Sequence, residues 1–225
     1  MADPKPVLIL TRPEPEARAF LADCEARIGT DIVSVVSPII DIVPVSARVD
    51  LDRYETVIVT SGNAVLHAPG PLSDRTVATV GQRTAELAAA SGAEATCLGL
   101  TVDGFIENAK LLRGPAIHIR GRHTRGALAQ RASEKGVEVD EVVVYDQVDK
   151  PLSDGAREAL LSGRAIVPVF SPRSAALVSA NPAAPSTRVL AISPAAAAAW
   201  ASDGQVQIAR HPDRDAMLNL VAACF

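Results

Sequence analysis

The chain repeatedly places a short run of β-branched residues ahead of a segment with helical spacing, and this alternation constrains its fold more than any other feature. In the first repeat, the apolar run from Val7 to Thr11 is followed by Pro13, which suits the first turn of a helix. Apolar residues then recur every three or four positions from Ala17 to Ile28, as on the buried face of an amphipathic helix. Strands that alternate with helices in this way indicate βα units on a parallel sheet.

The same alternation recurs along all 225 residues and predicts further strands. They are Asp31–Val36, Thr56–Thr60, Thr76–Val80, Ala116–Arg120, Val139–Tyr145, Ile166–Phe170, Arg188–Ile192 and Val206–Ala209. A chain of this length suits two units of about 100 residues each. We therefore predict an α/β protein with two doubly wound parallel-sheet lobes of the flavodoxin or Rossmann type, and a single long sheet is the competing arrangement.

Two segments break the alternation, Ser37–Val45, which contains two prolines, and Val142–Val148. Both are extended in pattern, and neither leads directly into a helical segment. If they run side by side, they form a two-stranded antiparallel hinge between the lobes. The predicted domains are then a terminal lobe of residues 1–36 plus 149–225 and a central lobe of residues 37–148.

Composition and charge exclude several classes of function. Aromatic residues make up 3% of the chain and the net charge is −4, which disfavours nucleic-acid binding through stacking platforms or phosphate contacts. The three cysteines are far apart and lack the spacing of a zinc site. The sequence has neither the pattern of a signal peptide nor an apolar run long enough for a membrane span, so we expect a cytoplasmic protein.

Small polar residues follow several predicted strands at the point where a helix begins. Because these junctions gather at the carboxyl edge of a parallel sheet, helix amides and hydroxyls there can hold anions. Each junction by itself is also explained as a simple helix cap. Glycine-rich nucleotide motifs are absent from the sequence. The candidate anion contacts at the junctions are Arg12, Ser61, Asn63, Thr84, Ser171 and Ser193.

Two further features point to a site. Three arginines, Arg120, Arg122 and Arg125, lie within six residues directly after a predicted strand, in a chain that is acidic overall. Guanidinium groups suit bidentate contacts with carboxylates, although a solvated loop explains the cluster equally well. Tyr145, one of two tyrosines, lies in the second hinge segment, where its ring either faces a cleft or packs on the strand.

In this order, the motifs resemble those of the uroporphyrinogen-III synthase family across the whole chain. The matching segments are TRP at Thr11–Pro13, SPIIDIVP at Ser37–Pro44, VIVTSGNAV at Val57–Val65, VGQRTA at Val80–Ala85, IRGRHTRGAL at Ile119–Leu128, VVVYDQV at Val142–Val148 and VFSPRSA at Val169–Ala175. One departure is Ser193-Pro194, where the family commonly has Gly or Ser followed by Thr.

The resemblance implies a bilobed enzyme that converts hydroxymethylbilane to uroporphyrinogen III with loss of water, without a metal or organic cofactor. The implied reaction passes through an azafulvene and a spiro intermediate, and it inverts the last pyrrole ring. The resemblance further implies that Tyr145 assists departure of the hydroxyl group, and that Arg12, Ser61, Asn63, Thr84, Arg120, Arg125, Ser171 and Ser193 contact substrate carboxylates. Its partner would be the linear tetrapyrrole, and we expect a monomer. The alternative is a non-catalytic protein that closes on a small anion, since a fold alone does not decide function.

Overall fold

A computed structural model describes residues 5–124 and 126–225, and within these ranges it contains alternating strands and helices. The strands are β1 Val7–Leu10, β2 Val33–Val36, β3 Ile40–Pro44, β4 Thr56–Val59, β5 Thr76–Val80, β6 Glu94–Gly99, β7 Ala116–Gly121, β8 Val139–Asp149, β9 Ala165–Val169, β10 Arg188–Ala191 and β11 Gln205–Ile208. The α-helices are α1 Glu14–Ile28, α2 Gly62–Leu66, α3 Gln82–Ala90, α4 Val102–Glu107, α5 Leu128–Glu134, α6 Asp154–Leu161, α7 Pro172–Ser179, α8 Pro194–Ala198 and α9 Arg214–Ala222.

The chain divides into two compact units. The terminal unit contains Met1–Asp41 and Val148–Phe225, and the central unit contains Ile42–Gln147. The chain therefore passes between the units twice, within β3 and near the end of β8. That the units are independent domains with boundaries at residues 36/37 and 148/149 stays a prediction.

The terminal unit is built on a parallel sheet with the order β11-β10-β9-β1-β2. Taken in the unit's own chain order, this is 2-1-3-4-5, the order of flavodoxin-like folds. β1 and β9 are buried along their whole length, as strands covered by helices on both faces must be. On one face, Leu8 and Leu10 pack with Phe20 of α1 and Met217 of α9. The chain order reverses between β1 and β9.

The central unit has the sheet order β3-β8-β7-β4-β5-β6. From β8 to β6 all pairs are parallel, and in the unit's own order these five strands read 3-2-1-4-5, the Rossmann order. The reversal lies between β4 and β7. β3 runs antiparallel to β8, because the N–H of Val45 donates to the carbonyl of Val144 while the N–H of Lys150 donates to that of Ile39.

One irregularity in the central sheet bears directly on the site. Along β7 and β8, Arg120 is aligned with Val143, but Gly121 is aligned with Tyr145, so one additional residue of β8 is accommodated. Such a bulge increases the local twist and changes the direction of the side chains beyond it. Here it places Gly121 opposite Tyr145.

The predicted fold class is confirmed: two doubly wound, mostly parallel α/β sheets with an antiparallel pairing of the two extended segments. β6 was not predicted, because Glu94–Gly99 contains only one β-branched residue and forms the edge of its sheet. Among the helices of residues 5–124 and 126–225, none combines the length and apolarity needed to cross a bilayer.

Candidate functional site

Both sheets place the predicted site residues at the carboxyl ends of strands next to the point where the chain order reverses. In the terminal unit, Arg12 follows β1 and Ser171 follows β9, and these two strands are the reversal pair. In the central unit, Ser61 follows β4 and Arg120 ends β7, which are again the reversal pair. Open α/β sheets bind ligands at this position because the loops on either side of it diverge and leave a crevice.

The serines of the terminal unit act as helix N-caps. Ser171 Oγ accepts from the N–H of Ser174 at 3.0 Å and lies 2.7 Å from Ser174 Oγ, and Ser193 Oγ accepts from the N–H of Ala196 at 3.3 Å. A cap uses the oxygen lone pair and leaves the hydroxyl hydrogen for another acceptor. Capping is thus established for both residues, and an additional contact with a substrate stays a prediction.

Arg12 packs against an aromatic ring in the same unit. Its guanidinium carbon lies 4.7 Å from the centroid of Phe170, and Phe170 in turn meets Phe20 edge to face at 5.1 Å. Stacking on an aromatic face favours a guanidinium and restricts its orientation without occupying all of its N–H donors. The structure therefore places a partly oriented cation beside the Ser171 cap.

In the central unit, the predicted contacts lie at the starts of two helices. Ser61 caps α2 by accepting from the N–H of Asn63 at 3.2 Å, and Thr84 lies in the first turn of α3, where its own N–H donates to Gly81. Gly81, the N-cap of α3, has a φ of +82° and supplies no side-chain acceptor. Ser61, Asn63 and Thr84 are all partly exposed, as residues that contact a ligand must be.

Tyr145 is almost fully buried in β8, with 4% of its surface exposed. Its ring lies directly against Gly121: a Cβ added at Gly121 would lie 2.5 Å from Cζ and 2.8 Å from the hydroxyl oxygen of Tyr145. The His67 ring lies on another side, with centroids 6.2 Å apart. Within residues 5–124 and 126–225, the Tyr145 hydroxyl donates to no protein group, so it retains a hydrogen to donate to a bound molecule.

The three arginines after β7 have different surroundings. The Nε of Arg120 lies 2.9 Å from Glu141 Oε1, and its Nη1 donates to the carbonyl of Gly121 at 3.1 Å. Arg122 donates from Nε to Asp146 at 2.7 Å, a bond that lowers the pKa of the Asp146 carboxyl. Arg125, also predicted to grip a carboxylate, lies outside the described residues. Arg120 is therefore engaged by the protein itself, and the prediction that it contacts substrate is not tested.

Beside Arg120 lies His118, a buried histidine that the sequence analysis did not single out. Its Nδ1 lies 3.4 Å from Glu141 Oε1, and its Nε2 lies 3.3 Å from Thr60 Oγ1. The N–H directions at His118 Nδ1 and Arg120 Nε are poor for ordinary hydrogen bonds, so charge rather than alignment holds these groups near Glu141. Burial lowers the pKa of His118 to about 4, and the attraction of Glu141 only partly offsets that effect.

This shift predicts acid destabilisation with a definite window. The folded-state pKa of His118, about 4, lies below its ordinary value of 6.5, so the unfolded chain takes up the proton first. The free energy of unfolding should therefore fall as pH drops from 6.5 to about 4, by up to about 1.4 kcal/mol per pH unit from this group. Equilibrium denaturation at several pH values should show a shallower fall for His118→Gln. Replacing the exposed His211 by Gln serves as the control and should leave the wild-type slope, and parallel curves for His118→Gln and wild type would contradict the assignment.

Sequence reasoning found the strand-end positions and missed their supports. Ser61, Ser171 and Ser193 were visible because each follows an apolar run and precedes a helix. Gly121, His118 and Glu141 were missed, since their importance depends on which strands lie side by side. The polar His118 within the otherwise apolar run from Ala116 to Ile119 was the available signal.

Comparisons with known proteins agree with this architecture. The crystal structure of uroporphyrinogen-III synthetase from Helicobacter pylori is similar with a TM-score of 0.69 and 15% identity, over 99% of this chain and 100% of that one. A crystal structure of a mutant uroporphyrinogen III synthase from the extremely thermophilic bacterium Thermus thermophilus has a TM-score of 0.53 and 16% identity, over 98% of both chains. At these identities the likeness establishes the fold. A sequence search of curated proteins found no significant match.

Family membership comes from the sequence itself. A family model described as Uroporphyrinogen-III synthase HemD matches residues 27–219, which is most of the chain. The match includes Ser61, Tyr145 and Ser171, and it supports the predicted catalytic function over the non-catalytic alternative. The ordered motifs, the two doubly wound sheets and the family match lead to one conclusion: this chain belongs to the uroporphyrinogen-III synthase family.

Proposed function

We propose that this chain is a lyase that closes hydroxymethylbilane to uroporphyrinogen III, with loss of water and inversion of the last pyrrole. The observation that carries the chemical part of the proposal is the Tyr145 hydroxyl, a near-buried donor without a protein acceptor in the described residues. It lies on β8, next to the strand pair where the central sheet reverses its order. Family membership supports the choice of substrate and product.

The substrate is a polycarboxylate, and the chain offers donors suited to it at strand ends. We propose that its carboxylates bind the candidate contacts, which are Arg12, Ser61, Asn63, Thr84, Arg120, Arg125, Ser171 and Ser193. Hydroxyls and first-turn amides donate without adding net charge, while the positive end of a helix favours an anion. An acidic protein can thus hold an acidic ligand at a few positions.

The chemical step begins when the terminal C–O bond breaks. The adjacent pyrrole nitrogen supplies the electron pair, and the oxygen leaves as water once it has gained a proton. We propose that Tyr145 donates a hydrogen bond to this oxygen as negative charge develops on it. The resulting azafulvene is attacked to form the spiro intermediate, which reopens and closes with the last ring turned over. No metal or organic cofactor is needed for these steps.

Most of the protein's work in this proposal is to hold one conformer of the substrate. The linear tetrapyrrole also closes without protein, to the isomer in which the last ring is not inverted. The anion contacts must therefore restrict the pyrroles so that inversion precedes closure. This requirement explains why donors are spread over several strand ends instead of being gathered around one reacting atom.

Separation of the product isomers tests the function directly. The purified chain is incubated with enzymatically generated hydroxymethylbilane, the products are oxidised to porphyrins, and types I and III are separated. We expect type III to predominate, against type I in the control without protein. Type I alone, formed at the rate of that control, would overturn the proposed function and favour the binding-protein alternative.

The remaining parts of the proposal concern the setting of the enzyme. We propose that it acts in the cytoplasm as a monomer with the linear tetrapyrrole as its partner, without nucleic acid. A charge of −4 and the scarcity of aromatic residues support the last point. Sedimentation equilibrium tests the monomer, since a mass near twice 23.4 kDa would contradict it.

Substitution of Ser171 separates helix capping from substrate binding. Aspartate caps a helix about as well as serine but cannot donate, and it repels a carboxylate. Ser171→Asp should therefore leave the free energy of unfolding within about 0.5 kcal/mol of wild type and weaken binding of uroporphyrinogen III by about tenfold or more. Ser153, which caps α6 in the same unit, provides the matched control Ser153→Asp. Unchanged product affinity in Ser171→Asp would show that Ser171 is only a cap.

A further inference from the structure

We infer that His118 and Glu141 are positioning residues that hold Arg120, and that Arg120 in turn fixes the β7 bulge against which Tyr145 packs. The four residues concerned, Thr60, His118, Arg120 and Glu141, are called the His118 cluster below. The inference rests on the proposed function only for its kinetic consequences, because the positioning itself is a property of the folded chain.

The His118 cluster and Tyr145 lie on opposite faces of the same sheet. Alternate residues of a strand point to opposite faces, so His118 and Arg120 share one face of β7. Ile117 and Ile119 point the other way and pack in the core cluster that contains Tyr145. The His118 cluster therefore has no direct role at the Tyr145 ring, and any influence must pass through the backbone of β7.

Arg120 provides that backbone connection. From its position before the bulge, it donates through Nη1 to the carbonyl of Gly121 at 3.1 Å and to that of Arg122 at 3.4 Å. The N–H of Arg122 donates to the carbonyl of Tyr145 at 2.9 Å. One guanidinium thus holds the two peptide groups that determine where Gly121 lies relative to Tyr145.

Glu141 and His118 determine where that guanidinium can be. Glu141 contacts Arg120 through both oxygens, at 2.9 Å to Nε and 3.3 Å to Nη2. His118 lies behind the carboxylate and is neutral above pH 6.5, because burial lowers its pKa to about 4. A carboxylate can only accept, so the contact favours the tautomer with the proton on Nδ1 and with Thr60 donating to Nε2. The charged groups around His118 are Glu141 and Arg120.

The cluster differs from an ordinary surface ion pair in its burial. Side chains of His118, Arg120 and Glu141 are 3%, 21% and 36% exposed, whereas Asp52, which pairs with Arg75 in the same unit, is 82% exposed. Partly buried charges hold a fixed geometry more effectively than exposed ones, which are screened and mobile. Asp52→Asn is therefore a matched control that removes a carboxylate charge without touching the cluster.

A fluorine label tests the positioning without reference to catalysis. The chain has two tyrosines, so in a Tyr54→Phe background a 3-fluorotyrosine label reports Tyr145 alone. We expect Glu141→Gln to shift or broaden the ¹⁹F resonance of Tyr145, and Arg120→Lys, which keeps the charge but loses the planar fork, to do the same. Asp52→Asn should leave the resonance in place. An unchanged resonance in both cluster variants, with the chain still folded by circular dichroism, would overturn the inference.

Kinetics then tests whether the positioning matters for the reaction. If the cluster acts through Tyr145, Glu141→Gln should lower kcat by roughly 10- to 100-fold with little change in KM. The same change made in Tyr145→Phe should have almost no further effect. Multiplicative effects of the two substitutions, or a loss confined to KM, would show that Arg120 serves the substrate directly. Absence of uroporphyrinogen III from the wild-type chain would instead refute the proposed function, and the fluorine result would still stand.

Discussion

Tyr145→Phe should slow single turnover of hydroxymethylbilane by roughly 30- to 1000-fold while type III remains the main isomer. The substitution removes one hydrogen-bond donor and keeps the ring, so the packing against Gly121 and His67 is retained. Loss of a single donor to a developing negative charge costs about 2 to 4 kcal/mol of barrier. Because the azafulvene forms readily even without protein, the variant should be slow and not inactive.

Isomer analysis during single turnover distinguishes the roles that Tyr145 can have. A wild-type rate would remove it from catalysis, and slow turnover to mainly type I would show that it positions the substrate. The other tyrosine supplies a matched control, since the Tyr54 hydroxyl is bonded to Asp140 at 2.7 Å and the residue is partly exposed. Tyr54→Phe should retain the wild-type rate and isomer ratio.

Gly121→Ala should be at least as damaging as Tyr145→Phe, although it leaves every predicted donor in place. The new Cβ would lie 2.5 Å from Cζ and 2.6 Å from Cε2 of Tyr145, far inside van der Waals contact. The ring is buried and cannot move outward freely, so the substitution must displace both the ring and the bulge. Overpacking of this kind costs about 1 to 3 kcal/mol of stability, and the displaced hydroxyl should slow turnover by roughly 100-fold or more.

Thermal unfolding and single-turnover kinetics measure the two effects of Gly121→Ala separately. Gly155 in α6 is the matched control, because a Cβ added there meets nothing within 4 Å and its φ is not positive. Gly155→Ala should raise helix stability by about 0.5 to 1 kcal/mol and leave turnover unchanged. Wild-type turnover by Gly121→Ala would mean that the close contact with Tyr145 has no catalytic importance.

The course of the fold was predictable because it depends on local patterns. Apolar runs such as Val57–Val59 and Val167–Val169 are buried on both faces of their sheets, and continuous apolar strands separated by helices have few other ways to fold. β6 escaped prediction because Glu94–Gly99 obtains its strand conformation from pairing with β5 and packing against α3, not from its own residues. Tertiary context outweighs weak local preference in such edge strands.

The candidate site was predictable only in part, and for the same reason. A serine between a strand and a helix marks a cap from sequence alone, and Ser61, Ser171 and Ser193 all proved to be caps. Arg120 illustrates the limit: an arginine after a strand predicts an anion contact, yet its partner in the structure is Glu141, on the neighbouring strand. That pairing exists because β7 and β8 lie side by side in one particular register.

The sequence by itself determined the two α/β sheets, the positions of the helix starts and the family, since each follows from residues adjacent in the chain or from motifs in order. Only the tertiary structure decided that Gly121 faces Tyr145, that His118 is buried beside Glu141 and that Arg120 is held from within. The physical reason is register: the side chains of a strand alternate with a period of two, so a shift of one residue between β7 and β8 moves every contact to the other face. The bulge between Arg120 and Gly121 makes such a shift, and it depends on the packing of the whole sheet.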